Sequence, residues 1–395
     1  MKKRKGKKKR RSQARAAVQT PLSGGERPSD VEIDRLVERY VRLKRDLVGW
    51  AHGRFTDAVI EKAESLSHDG IISESELVRA TEEIIHRPGT IDAFLSAHPA
   101  LRGPNRALAR GFRDGFTGIF CPRSREGRVL ELHNLVDDLA YLAAMSSDDP
   151  EAWRQLGEAP CFTSHIVPIG PLWTLSGSQR LLPPDLRLAH GLAARLAQDC
   201  PSLFFRNPEH LARGREAMER QHQAFLARFG GPWVVGSPRE VERLHREMLD
   251  EKKAPRLDLP REAMKAETLG MISHPEEGLL FCVELARFRA AFEDPGLGRN
   301  PRHREVVLGY LESDSIPPAV FGTFASVDPA RASALLATVL ERPGFDWNRD
   351  GDALLRRYKP SFFECQTLPS ILPLPDAMVE GLTALEQLSG GGAPG

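Results

Sequence analysis

Length, composition and charge exclude several classes of protein. The 395 residues are 41% hydrophobic and 28% charged, with a formal net charge of +1, which is typical of a globular protein of two or three domains. No run of 18 apolar residues occurs, so the sequence predicts no transmembrane helix. No apolar segment follows the charged start, as a secretory signal would require. We therefore expect a cytoplasmic protein.

The chain begins with a polybasic arm. The first fifteen residues, MKKRKGKKKRRSQAR, carry ten positive charges and no acid. Without those ten charges, residues 16–395 have a formal net charge of −9. A cationic arm binds polyanions by releasing their counterions, without sequence preference. The candidate nucleic-acid-binding residues are therefore Lys2, Lys3, Arg4, Lys5, Lys7, Lys8, Lys9, Arg10, Arg11 and Arg15.

Several targets remain open for this arm. Its lysines are half of the twelve in a chain that otherwise prefers arginine, a bias that favours a GC-rich bacterial source and selection for charge in the arm. The arm has no aromatic residue for base stacking and no apolar face for lipid insertion. Nucleic acid, the ribosome, an anionic membrane surface and the protein's own acidic body all fit its charge.

The pattern along the chain predicts six segments. Residues 1–28 are predicted to be a disordered arm, because they contain too little apolar surface to form a core. A helical unit at 29–110 begins at a Ser29 or Asp30 cap, and Pro88-Gly89 ends its third helix. After it we predict a small β unit at 111–182, a helical unit at 183–253, a helical C-terminal region at 254–388 and a flexible tail at 389–395.

The β unit and the C-terminal helices define the predicted fold class. Short alternating segments separated by turn residues predict five strands, at Phe116–Cys121, Val129–Val136, Leu139–Met145, Phe162–Ile169 and Leu172–Ser176. Such strands favour a small antiparallel barrel or curled sheet. The C-terminal region is predicted to hold helices at 276–292, 302–312, 318–326, 328–341 and 352–358. We expect an α+β protein that is predominantly helical.

The five cysteines are an odd number, widely spaced, and never arranged as CxxC. They are Cys121, Cys161, Cys200, Cys282 and Cys365. This usage predicts reduced, mostly buried thiols and argues against both a disulfide framework and a zinc knuckle.

Signatures of the common enzyme classes are missing, since the sequence contains no GxGxxG, GxxxxGK[ST], HExxH or GxSxG. The candidate catalytic residues are polar side chains of the β unit: His133, Asp137, Asp138 and His165. A general acid–base role requires that they meet within hydrogen-bond reach. Whether the protein is an enzyme stays open at this stage.

Two acidic loops resemble parts of the EF-hand calcium loop. Asp346, Asn348, Asp350 and Asp352 surround Gly351 and are the candidate calcium ligands, although Arg357 stands where a carboxylate should close the shell. The alternative is a helix at 353–358 that Asp352 caps. Residues 65–76 match the loop at Gly70 and Glu76, but Ser73 and Glu76 equally form a capping box. No other cofactor is expected.

One stretch carries a family resemblance. The run GFTGIF, LELHNLVDDL and HIVPIGPLWTLSG, within about residues 111–260, resembles the bodies of uncharacterised bacterial proteins, some of which carry a SEC-C zinc knuckle at one end. No such knuckle is present here, and the resemblance implies no activity.

The leading hypothesis is a non-enzymatic protein that contacts nucleic acid or the ribosome through its arm. The alternatives are a protein–protein adaptor with a dispensable arm, and an enzyme of unrecognised class that uses the β unit.

Overall fold

The computed structural model describes residues 28–67, 72–87, 89–145, 150–248, 259–364 and 367–390. Their contacts divide into two units. The barrel unit comprises the described residues up to Pro208 and those from Leu374 onward, and the sheet unit comprises residues from Glu209 to Pro373. The first boundary falls inside the predicted helical segment 183–253. The predicted arm and tail lie outside the described residues, apart from residue 28 and residues 389 and 390.

Eight helices of the barrel unit precede the unit boundary. They are α1 Asp30–Arg54, α2 Thr56–Leu66, α3 Glu74–Ile85, α4 Thr90–Ala97, α5 Gly103–Gly111, α6 Pro150–Glu158, α7 Leu186–Asp199 and α8 Pro201–Phe204. The Glu32 carboxylate accepts the Ser29 backbone N–H at 2.9 Å and so fixes the start of α1. The stripe of Ile33, Val37 and Tyr40 is buried as the helical spacing predicts.

The strands of the barrel unit form a closed five-stranded barrel. They are β1 Phe116–Glu126, β2 Val129–Asn134, β3 Leu139–Ala144, β4 Phe162–Pro168 and β5 Trp173–Leu181, in the order β1-β2-β3-β5-β4. β1 pairs with both β2 and β4 and thereby closes the barrel. One neighbouring pair, β3 and β5, is parallel, whereas the other pairs are antiparallel. The barrel has the same number of strands as the OB-fold, another small barrel.

Aromatic side chains fill the barrel. Phe120, Tyr141, Phe162 and Trp173 belong to one buried cluster, and Trp153 of α6 is part of the same cluster. The outer side of the barrel is also packed, because Val167 and Ile169 lie in a second cluster with residues of α1, α4 and α5. The predicted alternation along these strands thus separates an aromatic interior from a face that is covered by helices.

The sheet unit is helical around one antiparallel sheet of order β6-β7-β8. Its strands are β6 Trp233–Gly236, β7 Leu269–His274 and β8 Gly278–Val283. Its helices are α9 Pro208–Phe229, α10 Pro238–Met248, α11 Arg261–Lys265, α12 Leu285–Glu293, α13 Pro301–Glu312, α14 Pro318–Val327, α15 Pro329–Val339, α16 Trp347–Tyr358 and α17 Pro360–Glu364, with a short 3₁₀ helix at Pro295–Arg299. The core stacks Trp233 on Phe324 with ring centroids 4.2 Å apart.

The predicted fold class, helix-dominated α+β, is confirmed. The predicted helix at 276–292 is wrong in its first half, where β8 lies, and α12 begins only at Leu285. The apolar run GLLFCV suits a buried strand and a buried helix equally, so periodicity alone does not separate them. Residues 278–283 form a strand because they pair with β7. Among the described residues, no helix combines the length and apolarity that crossing a bilayer requires.

The last helix, α18 Asp376–Gly390, belongs to the barrel unit and packs against α7. The two backbones meet at a pair of glycines. A Cβ atom added to Gly191 would lie 2.3 Å from the carbonyl oxygen of Gly381, and one added to Gly381 would lie 2.3 Å from the Gly191 nitrogen. Any larger side chain at either position must therefore separate the helices.

We predict that Gly191→Ala lowers the free energy of unfolding by at least about 2 kcal/mol, because an overpacked site costs more than the helix propensity of alanine returns. Gly49→Ala is the matched control. Gly49 lies inside α1, and nothing would lie within 4 Å of its Cβ, so this variant should be equally stable or more stable. Urea unfolding of both variants measures the difference, and equal destabilisation would refute the tight crossing.

Candidate functional site

Buried titratable side chains concentrate where α1 and α3 meet the barrel. The imidazole cluster consists of Tyr40, Lys44, Glu82, His86 and His165. The rings of His86 and His165 lie against each other with centroids 3.6 Å apart and planes tilted by 30°. Lys44 Nζ lies 2.6 Å from Glu82 Oε1, and His86 Nε2 lies 3.8 Å from Glu82 Oε2. Three elements therefore contribute to one polar joint inside an otherwise apolar packing.

Helical spacing and strand register build this cluster. Tyr40 and Lys44 are four residues apart on α1, and Glu82 and His86 are four residues apart at the end of α3, so each pair shares a helix face. His165 stands opposite Thr117 in the β1–β4 ladder. Its Nδ1 lies 3.2 Å from Thr117 Oγ1.

Burial determines the charge states in the cluster. It lowers the pKa of His86 to about 2, with His165 and Lys44 adding to the effect. It also lowers the pKa of His165 to about 4, again with a contribution from Lys44. Burial opposes the charge of Lys44 too, but Tyr40 and Glu82 hold its pKa above the usual value. Near neutral pH both imidazoles are thus uncharged beside a charged Lys44–Glu82 pair, and they are weak bases.

His133 and Asp138 form the closest pair among the predicted catalytic residues. His133 lies on β2, and its Nε2 is 2.6 Å from Asp138 Oδ1. Asp138 lies in the turn between β2 and β3 with φ of 57°, a left-handed conformation that aspartate tolerates better than most residues. The turn thereby returns this carboxylate to the imidazole five positions before it.

Asp137, the neighbour of Asp138, contacts Tyr141 and not His133. Its side chain is fully buried, and the Tyr141 hydroxyl donates to Oδ2 at 2.6 Å. Burial raises the pKa of Asp137 to about 6, although Tyr141 and the Arg206 guanidinium work against that rise. Arg206 also stacks over Phe116, with Cζ 4.2 Å from the ring centroid. Asp137 therefore anchors the end of the barrel.

The structure does not gather the four predicted catalytic residues into one place. His133 stands opposite Cys121 on β1, whereas His165 stands opposite Thr117 on the same strand. Four residues of strand separate the two positions by about 13 Å. The structure brings His133 and Asp138 together, joins Asp137 to Tyr141 and Arg206, and places His165 with His86.

The prediction of five reduced thiols is wrong for Cys121 and Cys161, which form a disulfide. Phe120 pairs with Phe162 in the β1–β4 ladder, so Cys121 and Cys161 are the next opposing pair, with Cα atoms 4.2 Å apart. Forty positions separate them in the sequence, and spacing alone does not reveal that they face each other. The two other cysteines that the structure describes are free: Cys200 is exposed and Cys282 is buried.

The acidic segment near Gly351 is helical. Asp346 caps α16, since its Oδ1 accepts the Arg349 N–H at 3.0 Å. The alternative that Asp352 caps a helix at 353–358 is wrong, because α16 already begins at Trp347. Asp350 is paired with Arg349 and with Arg342.

The two other candidate ligands lie on a different side of α16. Asn348 and Asp352 line an open cleft of about 460 Å³, and Asp352 Oδ2 accepts from Arg356 Nε at 2.7 Å. The four predicted calcium ligands therefore do not converge on one point. Among the described residues no group of three or more His, Cys, Asp and Glu side chains is placed to hold a metal ion.

The remaining predicted sites fall partly outside the described residues. The ten cationic arm residues and Asp69-Gly70 of the other acidic loop lie there. For Ser73 and Glu76 the capping box is confirmed, because the Glu76 carboxylate accepts the Ser73 N–H at 2.7 Å.

Sequence reasoning missed four of the five residues of the imidazole cluster, since only His165 was a candidate, and it also missed one buried lysine of the sheet unit. Lys44 and His86 belong to the imidazole cluster, and Lys359 is buried in the sheet unit, where its Nζ donates to the Ser313 carbonyl at 2.7 Å. Burial lowers the pKa of Lys359 to about 8. The only available signal was the scarcity of lysine outside the arm.

Comparisons with known proteins found no match: no family model, no curated protein and no solved structure is similar to this chain at a significant level. The resemblance to the SEC-C-associated proteins therefore stays a prediction.

The imidazole cluster predicts a loss of stability in acid. Unfolded histidines take up protons near pH 6.5, whereas folded His86 and His165 resist until about 2 and 4, so stability falls as the pH drops below 6.5. His86→Phe keeps the ring contact and removes one such group. It should reduce the slope of stability against pH by up to about 1.4 kcal/mol per pH unit.

Urea unfolding across that pH range measures the slope. His52→Gln is the control, because His52 is an exposed residue near the end of α1. An unchanged slope in His86→Phe would contradict the assigned charge states.

Capping at α16 gives a separate prediction. Asp346→Ala should lower the free energy of unfolding by about 1 kcal/mol, since the Arg349 N–H loses its acceptor. Asp352→Ala, which removes an exposed ion pair, should change it by no more than about 0.5 kcal/mol.

Calcium should leave the melting temperature of the wild type unchanged, because Asp346 caps α16 and Asp350 is paired with two arginines. A calcium-dependent rise that both variants abolish would restore the metal site.

Proposed function

We propose that this protein is a non-enzymatic, nucleic-acid-associated protein whose polybasic arm supplies sequence-independent attachment. The observation that carries the proposal is the charge distribution: ten cations and no acid in fifteen residues, attached to a chain that otherwise has a formal net charge of −9. Each phosphate contact releases a condensed counterion, so attachment by the arm is strong in low salt and weak in high salt.

The side chains on the outer face of the barrel are less suited to binding nucleic acid than the polybasic arm is. In OB-type barrels the face of strands β2 and β3 binds oligonucleotides. Here the outward positions of those strands include Glu131 and His133 on β2, opposite Leu142 and Ala140 on β3. Apart from the His133 imidazole, which Asp138 holds at 2.6 Å, these four positions present no aromatic ring for base stacking, and they present no lysine or arginine for phosphate. The fold alone assigns no function, and this face adds no affinity for a polyanion.

A salt titration tests the proposal. Binding of the full-length protein to random-sequence duplex DNA and to RNA should fall with a log–log slope of up to about −9 if all ten cations contact duplex phosphates. Replacing all ten arm cations with glutamine should abolish most of this binding. The matched control exchanges every arm lysine for arginine and every arm arginine for lysine, which preserves the charge, and it should bind as the wild type does.

Two results would contradict the proposal. One is equal binding by the glutamine variant, and the other is a flat salt slope for the wild type. Preference for anionic lipid vesicles over nucleic acid at the same ionic strength would assign the arm to a membrane surface instead.

A further inference from the structure

Four chemically reactive side chains lie side by side on the outward-facing side of the barrel wall. Cys121 on β1 stands directly opposite His133 on β2, and it is bonded to Cys161, the residue immediately before β4. Opposing residues of antiparallel strands point to the same face, with Cβ atoms about 4.5–5.5 Å apart. Asp138 completes the row through its contact of 2.6 Å with His133 Nε2. A disulfide, an imidazole and a carboxylate are thus adjacent.

The four side chains differ in how far they are exposed to solvent. Cys161 is fully buried, whereas Cys121 is half-buried. The side chains of His133 and Asp138 are 17% and 59% exposed. Cys121 is therefore the more accessible of the two cysteines to an external thiol. Because Asp138 occupies Nε2 of His133, Nδ1 is the ring nitrogen that serves the neighbouring thiol.

The disulfide is not needed to close the barrel. Five consecutive residue pairs, from Phe116 with Ile166 to Phe120 with Phe162, already join β1 to β4. Phe120 and Phe162 also lie in the aromatic interior. The closing ladder and its core contacts remain when the sulfur–sulfur bond is broken, so the bond can open without unfolding the barrel.

We propose that Cys121 and Cys161 form a redox-active pair that exchanges its disulfide with a small external thiol, and that His133 is the acid–base group of this exchange. The proposal is independent of the arm and of nucleic-acid attachment. Asp138 is a positioning residue that holds the imidazole.

The exchange takes place in two balanced steps. A thiolate from the external thiol attacks Cys121 Sγ, the bond to Cys161 breaks, and the Cys161 thiolate takes up the proton that the external thiol released. A second external thiol gives its proton to His133, its thiolate attacks the outer sulfur of this mixed disulfide, and Cys121 leaves as a thiolate that takes the proton from His133. The protein disulfide and two thiols thus become the protein dithiol and one external disulfide. In the reverse direction, His133 takes the proton from Cys121.

Glutathione and iodoacetamide test the proposal on the full-length protein. Millimolar reduced glutathione should open the disulfide while the circular dichroism of the folded state persists. In the reduced protein, iodoacetamide should alkylate Cys121 and spare Cys161, as measured peptide by peptide by mass spectrometry. The alkylation rate should reach half its maximum below the pH typical of a free thiol, whose pKa is about 8.5.

Variants separate catalysis from structure. His133→Gln should lower the alkylation rate of Cys121 at neutral pH about tenfold and move its pH profile to that of a free thiol. Asp138→Asn should move the profile part of the way, and it supplies the same comparison if His133→Gln does not fold. His190→Gln on α7 is the control and should behave as the wild type does.

Three outcomes would overturn the proposal. They are a disulfide that millimolar glutathione leaves intact in the folded protein, a barrel that unfolds on reduction, and an alkylation profile that neither variant changes. The first two would mean that the bond only stabilises the barrel, and the third would remove the acid–base role of His133.

Discussion

The pairing of β1 with two strands is the constraint on which the barrel unit depends. Because β1 lies between β2 and β4, its register determines which side chains of those strands become neighbours. It places His165 beside Thr117 and toward α3, and it places His133 beside Cys121 and the disulfide. A slip of one residue would exchange the interior and exterior faces of the strand, so the aromatic core and both polar groups depend on the same register.

Sequence patterns predicted the local features well. The five barrel strands, the capping residues Ser29 and Ser73 and the separate helices after Pro301 follow from alternation, side-chain acceptors and proline positions. What they did not predict are the contacts between distant segments. Nothing local indicates that Cys121 faces Cys161 or that the His86 ring lies against the His165 ring, because such pairs arise from register and helix packing. The strands β7 and β8 were missed since their apolar residues also suit a helix.

The buried titratable groups of the barrel unit have opposite effects on the stability of the folded state in acid. Burial keeps His86 and His165 uncharged, and this disfavours the folded state as the pH falls below 6.5. Burial also raises the pKa of Asp137 to about 6. The folded state therefore holds that proton more tightly than the unfolded state, and stability from Asp137 is gained as the pH falls from about 6 to 3.8. Two histidines outweigh one aspartate, so the balance is a net loss.

The return of α18 to α7 has a consequence for the order in which the units are completed during synthesis. Among the described residues the sheet unit is one continuous segment, so all of these residues are present once Pro373 has left the ribosome. The barrel unit is interrupted by that segment and lacks its last helix until residue 390 emerges. Domains synthesised on ribosomes generally fold as units once their residues are available. Helix α7 is therefore synthesised about 180 residues before its partner α18. Its surface at Gly191 stays uncovered while the sheet unit, which lies between the two helices in the sequence, folds.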